Sequence, residues 1–188
     1  MGRIILARHG EDEDNAAGIL NGHRDMPLTE RGLSQARTFV QRLLKDQIDV
    51  GIVLSSPLRR ASKTAVVCAT EFGVPISIIG SLIERNFGIL TGKPVSGIMK
   101  YATKTFKGDK ILYFLEAQDS EIFPNLLLRA EIALGEIIYE MGVRQVENSL
   151  VVAHGDICKM LWAVHYKKTW QEALATPYMD NCDYLVLE

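Results

Sequence analysis

Ile4-Ile5-Leu6-Ala7-Arg8-His9-Gly10 is the stretch on which the reading of this chain turns. Four apolar residues, β-branched at the start, read as a buried strand. Arg8-His9-Gly10 then falls at the strand's carboxyl end, where open α/β sheets place their ligand sites. A histidine there can act as a nucleophile, and an arginine beside it offers a fixed fork of donors to a phosphate. Gly10 is expected to let the backbone come close to a ligand.

Other stretches converge on the same edge. Ser149 to Ala153 reads as a strand followed by His154-Gly155. If the two strands are parallel neighbours, both histidines meet at the carboxyl end of the sheet. A third strand, Ile48 to Leu54, runs into Ser55-Ser56-Pro57-Leu58-Arg59. Ser56 is the expected N-cap and Pro57 the first helical residue. That start places Arg59 on the first turn of a helix, whose free N–H groups already favour anions. Val74 to Ile79 reads as a further strand, and Leu82-Ile83-Glu84-Arg85 after it brings in a carboxylate.

Between the strands the pattern is helical. Leu33, Ala36, Val40, Leu43 and Leu44 form an apolar stripe after Pro27-Leu28-Thr29. Ala61, Ala65, Cys68 and Phe72 continue the helix after Ser56-Pro57, and Gly73 suits its end. A long helix is expected from about Pro124 to Met141, with Leu127, Leu134, Ile137, Ile138 and Met141 on one face. Ile157 to His165 and Trp170 to Leu174 read as helices, and Asp183 to Leu187 as a final short strand. Alternating strands and helices predict an α/β fold, a three-layer α/β/α sandwich with a mainly parallel central sheet. Residues 93–123 break the rhythm and are expected to form a short cap insertion. At 188 residues the chain fits a single domain spanning 1–188.

Composition excludes several classes. The chain is 47% hydrophobic and 23% charged, with a net charge of −2. That gives no global field for nucleic acid or a membrane surface. No apolar stretch approaches the ~20 residues of a membrane span. Met1-Gly2-Arg3 leads into only four apolar residues, so no signal peptide is read, and Leu6 argues against Met1-Gly2 as an acylation signal. Three scattered cysteines, Cys68, Cys158 and Cys182, argue for a reducing compartment, and a cytoplasmic location is expected. No Cys/His cluster has zinc-site spacing, so no metal and no cofactor are expected.

The convergent set supports a definite chemistry. A neutral imidazole attacks phosphorus and becomes a phosphohistidine. Arginines and a second, protonated histidine hold the equatorial oxygens. A carboxylic acid protonates the leaving alkoxide, and its conjugate base then activates water.

At this point the chain resembles a known family, the histidine phosphatase superfamily in its phosphoglycerate-mutase-like branch. Arg8-His9-Gly10-Glu11 with Asn15 is similar to the family's opening motif. Gly22, Asp25, Pro27-Leu28-Thr29 and Gly32 resemble the segment that follows it. Ser55-Ser56-Pro57-Leu58-Arg59-Arg60-Ala61 resembles the S-S-P-L-x-R-A block. Leu82-x-Glu84-x-x-Phe87-Gly88 with Gly92 resembles the acid-bearing loop, and Val152-Ala153-His154-Gly155 the second-histidine motif. Glu121 stands eight residues before Arg129, as in the family's G-E-S segment, though its glycine and serine are absent.

The resemblance implies roles. His9 is the phosphorylated nucleophile; Arg8, Arg59 and His154 line the phosphate pocket; Asn15 adds a donor; and Glu84 is the proton donor. Asn21, Gly22 and Gly155 sit where the substrate approaches, and Arg85 matches a substrate-facing arginine. Arg59 is taken as the family's arginine, with Arg60 turned to solvent or paired with acids, and His23 is expected in a loop at the pocket rim.

The departures bear on the reaction. Mutases of the family are longer and carry a lysine three residues after the glycine matched by Gly92; here that position is Val95. A mutase must exclude water from a phosphorylated intermediate, which a short cap does poorly. A hydrolase acting on a small phosphorylated metabolite, such as a sugar phosphate or bisphosphate, is therefore favoured over a cofactor-dependent mutase. A non-catalytic phospho-ligand-binding module is the alternative from another class. Lys93, Lys100, Lys104, Lys107 and Lys110 face a single acid, Asp109, between 93 and 110. Two readings of that segment stay open: a solvated face, or a cap that draws polyanionic substrates inward. The oligomeric state is not legible.

Overall fold

A computed structural model describes residues 2–188; Met1, the first residue of the Met1-Gly2 pair, lies outside them. In chain order the elements are β1 (Ile4–Arg8), α1 (Glu13–Ala17), α2 (Glu30–Lys45), β2 (Ile52–Ser55), α3 (Arg59–Phe72) and β3 (Ile76–Ile78). They continue with α4 (Ile98–Tyr101), β4 (Lys104–Lys107), β5 (Leu112–Glu116), α5 (Phe123–Arg144), β6 (Ser149–Ala153), α6 (Gly155–His165), α7 (Trp170–Ala175) and β7 (Tyr184–Leu187).

Five strands form the central sheet in the order β3-β2-β6-β1-β7, parallel except for the antiparallel edge strand β7. Helices cover both faces, so β6 is buried at every residue and its sequence is a continuous run instead of an alternation. On one face Ile5, Ala7, Val53, Leu150 and Val152 pack against α2 and α3 through Phe39, Val40, Leu43, Ala61 and Ala65. On the other, Leu6, Leu54, Val151 and Ala153 pack against α5 and α6 through Leu126, Ala130, Ile137, Ile157 and Leu161. This is the expected three-layer α/β/α sandwich. Thr29 caps α2 by accepting from the Gly32 N–H at 3.0 Å, and Arg42 and Lys45 in its last turn complement the helix dipole.

Several boundaries and faces differ from the sequence reading. α3 begins at Arg59, two residues after Pro57, and the Ser56 hydroxyl does not cap it. On α5 the buried face is Phe123, Leu126, Ala130, Ala133, Ile137 and Met141, while Ile138 is 55% exposed. The alanines let α5 sit close to its neighbours, so small residues mark the inner face where a search for large ones fails. β2 starts at Ile52, four residues late, because the Ile48 N–H turns back to the Leu43 carbonyl at 3.0 Å and closes the end of α2.

The cap lies between β3 and α5. It comprises α4 and an antiparallel β4–β5 hairpin, with its own small cluster of Phe87, Leu90, Ile98 and Phe114. No helix among the described residues is long and apolar enough to cross a membrane.

Candidate active site

β1 and β6 are parallel neighbours with Arg8 opposite Ala153, so His9 and His154 are the next residues out. Their ring centroids lie 5.0 Å apart, edge to face. Both rings are buried, and burial, with the cation of Arg60 next in weight, holds both well below the ordinary histidine range. Both are therefore neutral at pH 7.

The His9 tautomer follows from its partners. Nδ1 lies 2.7 Å from the Gly10 carbonyl, which can only accept, so Nδ1 carries the proton. Nε2 then holds a lone pair and receives the Arg60 Nε–H at 3.2 Å. His154 Nε2 lies 2.7 Å from the Ser56 hydroxyl, whose oxygen already accepts from the Leu58 N–H. With the hydroxyl donating to Nε2, Nδ1–H of His154 is a free donor. Among the described residues, two buried side-chain nitrogens have no hydrogen-bond partner: His154 Nδ1 and Arg8 Nε. Buried donors are seldom left unpaired, and two at one place point to a ligand that completes them.

Arg60, not Arg59, is the third cation of the site. Arg60 is fully buried and donates to His9, to the Gly22 carbonyl at 2.8 Å and to the Arg24 carbonyl at 2.6 Å. Its Nε also lies 3.3 Å from the fully buried Asp12 carboxylate. Arg59 is exposed on the first turn of α3, and its backbone N–H donates to Asp25. It faces a separate surface hollow of about 400 Å³ bordered by Pro27, Leu28 and Val66. Adjacent helical residues are about 100° apart in azimuth, so one step in register sends one arginine inward and its neighbour out. The S-S-P-L-x-R-A block read directly against Ser55–Ala61 also puts Arg60 in the arginine place.

Glu84 is 6% exposed and accepts from the Arg85 N–H at 2.9 Å. Burial, reinforced by the nearby Asp156 charge, pushes its carboxyl up to about 7. An acid so tuned keeps its proton long enough to give it away near neutral pH.

Arg85 does not face substrate. It donates from Nε to Asp156 at 2.7 Å and from its terminal nitrogens to the carbonyls of Phe114 and Glu121. Its guanidinium lies over the Phe114 and Phe123 rings at 3.9 and 4.2 Å. It ties the cap to the sandwich.

Asn15, Asn21 and Gly155 border the cleft with Arg8 and Glu84. Gly22 stands behind it: its backbone is left-handed, a Cβ would meet Phe87 at 3.1 Å, and its carbonyl holds Arg60. Gly10 likewise serves packing, since a Cβ there would lie 2.5 Å from the Gly32 carbonyl on α2. His23 sits in the loop as expected, its Nε2 2.6 Å from the Glu84 carbonyl.

Sequence reasoning missed three residues besides Arg60. Asp12 accepts from the Asn15 N–H and the Asn21 amide, both at 2.7 Å, and sets that loop. Its D-x-x-N spacing to Asn15 was a readable capping signal. Tyr178 hydrogen-bonds through its hydroxyl to Arg8 and lines the cleft. Asn181 donates to the His9 carbonyl and to Asn15 Oδ1, each at 3.0 Å. Both come from the irregular segment after α7, where no periodicity signals a role.

Comparison with known proteins follows this geometry. A family profile described as the histidine phosphatase superfamily (branch 1) matches residues 4–188. The chain is 29% identical over 162 residues to a broad-specificity phosphatase of Saccharomyces cerevisiae, covering 85% of this chain and 68% of that protein. It is 34% identical over 107 residues to phosphoserine phosphatase 1 of Hydrogenobacter thermophilus, 57% of this chain and 50% of that protein. A mycobacterial glucosyl-3-phosphoglycerate phosphatase structure superposes with a TM-score of 0.81 at 22% identity, over 99% of this chain and 90% of that one, which establishes the shared fold.

Proposed function

The chain belongs to the histidine phosphatase superfamily, and from that premise we propose that it hydrolyses a small phosphomonoester through a phosphohistidine on His9, without a metal. The observation that carries this reading is the state of His9: neutral, Nδ1 tied to the Gly10 carbonyl, and Nε2 unprotonated, its lone pair held by an Arg60 N–H that a bound phosphate would draw to itself.

The phosphate enters among Arg8, Arg60 and His154, and its oxygens take up the vacant donors Arg8 Nε and His154 Nδ1. His9 Nε2 attacks phosphorus in line with the ester oxygen; the N–P bond forms as the P–O bond breaks. Glu84 gives its proton to the leaving alkoxide, and the alcohol departs. The Glu84 carboxylate then takes a proton from water, whose oxygen attacks the phosphohistidine, releasing inorganic phosphate and restoring His9 and the protonated Glu84. The positive groups offset charge on the transferring phosphoryl group, the part a metal plays elsewhere. A cytoplasmic setting and a small phosphorylated metabolite as substrate are part of this reading, and a net charge of −2 offers no field for nucleic acid or a membrane surface.

Rapid quench with ³²P-labelled substrate tests this reading. Acid-labile, alkali-stable label on the peptide carrying His9, absent in His9→Ala, is expected, with turnover of p-nitrophenyl phosphate unchanged by EDTA. Acid-stable label, or activity lost to EDTA and restored by Mg²⁺, overturns it.

A further inference from the structure

The cleft is small, about 150 Å³, and its lining is of two kinds. The polar lining is Arg8, Asn15, Asn21, Glu84, Asp156 and Tyr178. The apolar lining is Ile19, Leu20, Phe87, Ile98, Ile111 and Leu112, with the 46% exposed Val95 beside them. Among the described residues, Arg8 is the only cation bordering this cleft.

The other cations nearby do not border it. Arg85 is held by Asp156 and sealed between aromatic rings. Lys104 pairs with Glu116 at 2.8 Å, and Lys110 with Asp180 at 3.0 Å, both on the exterior. The Lys93 and Lys100 ammonium groups lie 5.6 and 5.4 Å from the Tyr101 ring. Arg24 pairs with Asp14, and Arg129 with Glu121. None of the cap lysines borders the cleft, and the cap residues that do are aliphatic. A carboxylate or second phosphate placed against them would be desolvated without a partner, and burying an unpaired anion is strongly unfavourable.

Resting on the phosphomonoesterase reading, we propose that the substrate is a monoester of an uncharged, largely apolar alcohol, in which the phosphate is the only anionic group. Its alcohol carbons lie against Ile98, Ile111 and Leu112, and the cleft selects against sugar bisphosphates, phosphoserine and phosphoglycerates.

The test compares two esters of similar chain length and leaving-group basicity, n-butyl phosphate and the phosphate ester of 4-hydroxybutyrate. Both are assayed by phosphate release with the wild-type protein and Val95→Lys. Val95 is 46% exposed, so a lysine there is accommodated without repacking and sets an ammonium beside the apolar lining. The wild type is expected to favour butyl phosphate in kcat/KM by about 10²-fold, and Val95→Lys to narrow that ratio by about tenfold, as one new partner for a desolvated group does. Equal or better turnover of the carboxylate ester by the wild type overturns the assignment while leaving the phosphatase reading intact. So does a ratio unmoved by Val95→Lys. No release from either ester or from p-nitrophenyl phosphate overturns the phosphatase reading itself, and this proposal with it.

Discussion

Replacing Arg60 and Arg59 separately asks which of two adjacent, chemically identical residues the phosphate uses. Arg60→Ala removes a fully buried guanidinium that reaches His9 Nε2, the carbonyls of Gly22 and Arg24, and the Asp12 carboxylate. Leaving one partner of a buried ion pair behind costs about 3–5 kcal/mol. The low end is expected, because burial already pushes Asp12 above its ordinary range and so disfavours its charged form. For a chain of this size each kcal/mol lowers Tm by about 2–4 °C, so the loss at that low end is roughly 6–12 °C. Losing a positioned donor to the phosphoryl group lowers kcat by about 10²–10³-fold. Arg60→Lys keeps the charge without the fork and should fall between. Arg59→Ala truncates an exposed side chain, with stability changed by less than about 0.5 kcal/mol and kcat/KM unchanged within about twofold. Circular dichroism melts and p-nitrophenyl phosphate kinetics, run well below each Tm, read both quantities. A 10²-fold loss in Arg59→Ala beside a near-normal Arg60→Ala would refute the assignment of the site.

Glu84→Gln should slow alkyl phosphates by roughly 10²–10⁴-fold and p-nitrophenyl phosphate less, since nitrophenolate departs without a proton; equal losses in steady-state assays would reassign Glu84 to binding or water activation. The Glu84 carboxyl is raised in the fold, so its favourable contribution is complete below about pH 4.5 and is lost as pH rises through about 7. Chemical denaturation should therefore show the wild type losing up to about 3 kcal/mol relative to Glu84→Gln between pH 5 and 8; parallel profiles would contradict this. Arg85→Met should destabilise the protein by about 3–5 kcal/mol, by abandoning Asp156. It should also move the alkaline limb of the alkyl-phosphate pH profile upward, because the Arg85 charge holds Glu84 down. An unchanged profile would show that the two groups do not interact. Lys159 is 4% exposed and donates to the carbonyls of Ala173, Thr176 and Pro177, just before Tyr178. Lys159→Met should loosen that strap, and hydrogen exchange at 176–181 should quicken while the sheet amides stay protected.

The sequence by itself determined the layers and the identity of both histidines. Short apolar runs ending in Arg8-His9-Gly10 and His154-Gly155 are local signals, and a strand buried on both faces leaves little freedom in where its last residue points. Glu84 was legible differently, from the Leu82-x-Glu84-x-x-Phe87-Gly88 pattern, since β3 ends at Ile78 and is largely exposed. Only the tertiary structure decided the rest. Which arginine turns inward depends on the rotational phase of α3, set two residues later than Ser56-Pro57 suggested, and it agrees with the register of Ser55–Ala61 that put Arg60 in the arginine place. Arg85 looked like a ligand because it is a charge beside an acid; its burial depends on Phe114, Phe123 and Asp156, distant in sequence. Tyr178 and Asn181 arrive from an irregular strap that carries no period. The lysines of the cap look the same in sequence whether they face the cleft or solvent, and only the packing of the β4–β5 hairpin turns its aliphatic side inward. Periodicity records which side of an element is apolar; which charges come together across elements is decided by packing, because each such contact joins residues whose sequence separation leaves no local trace.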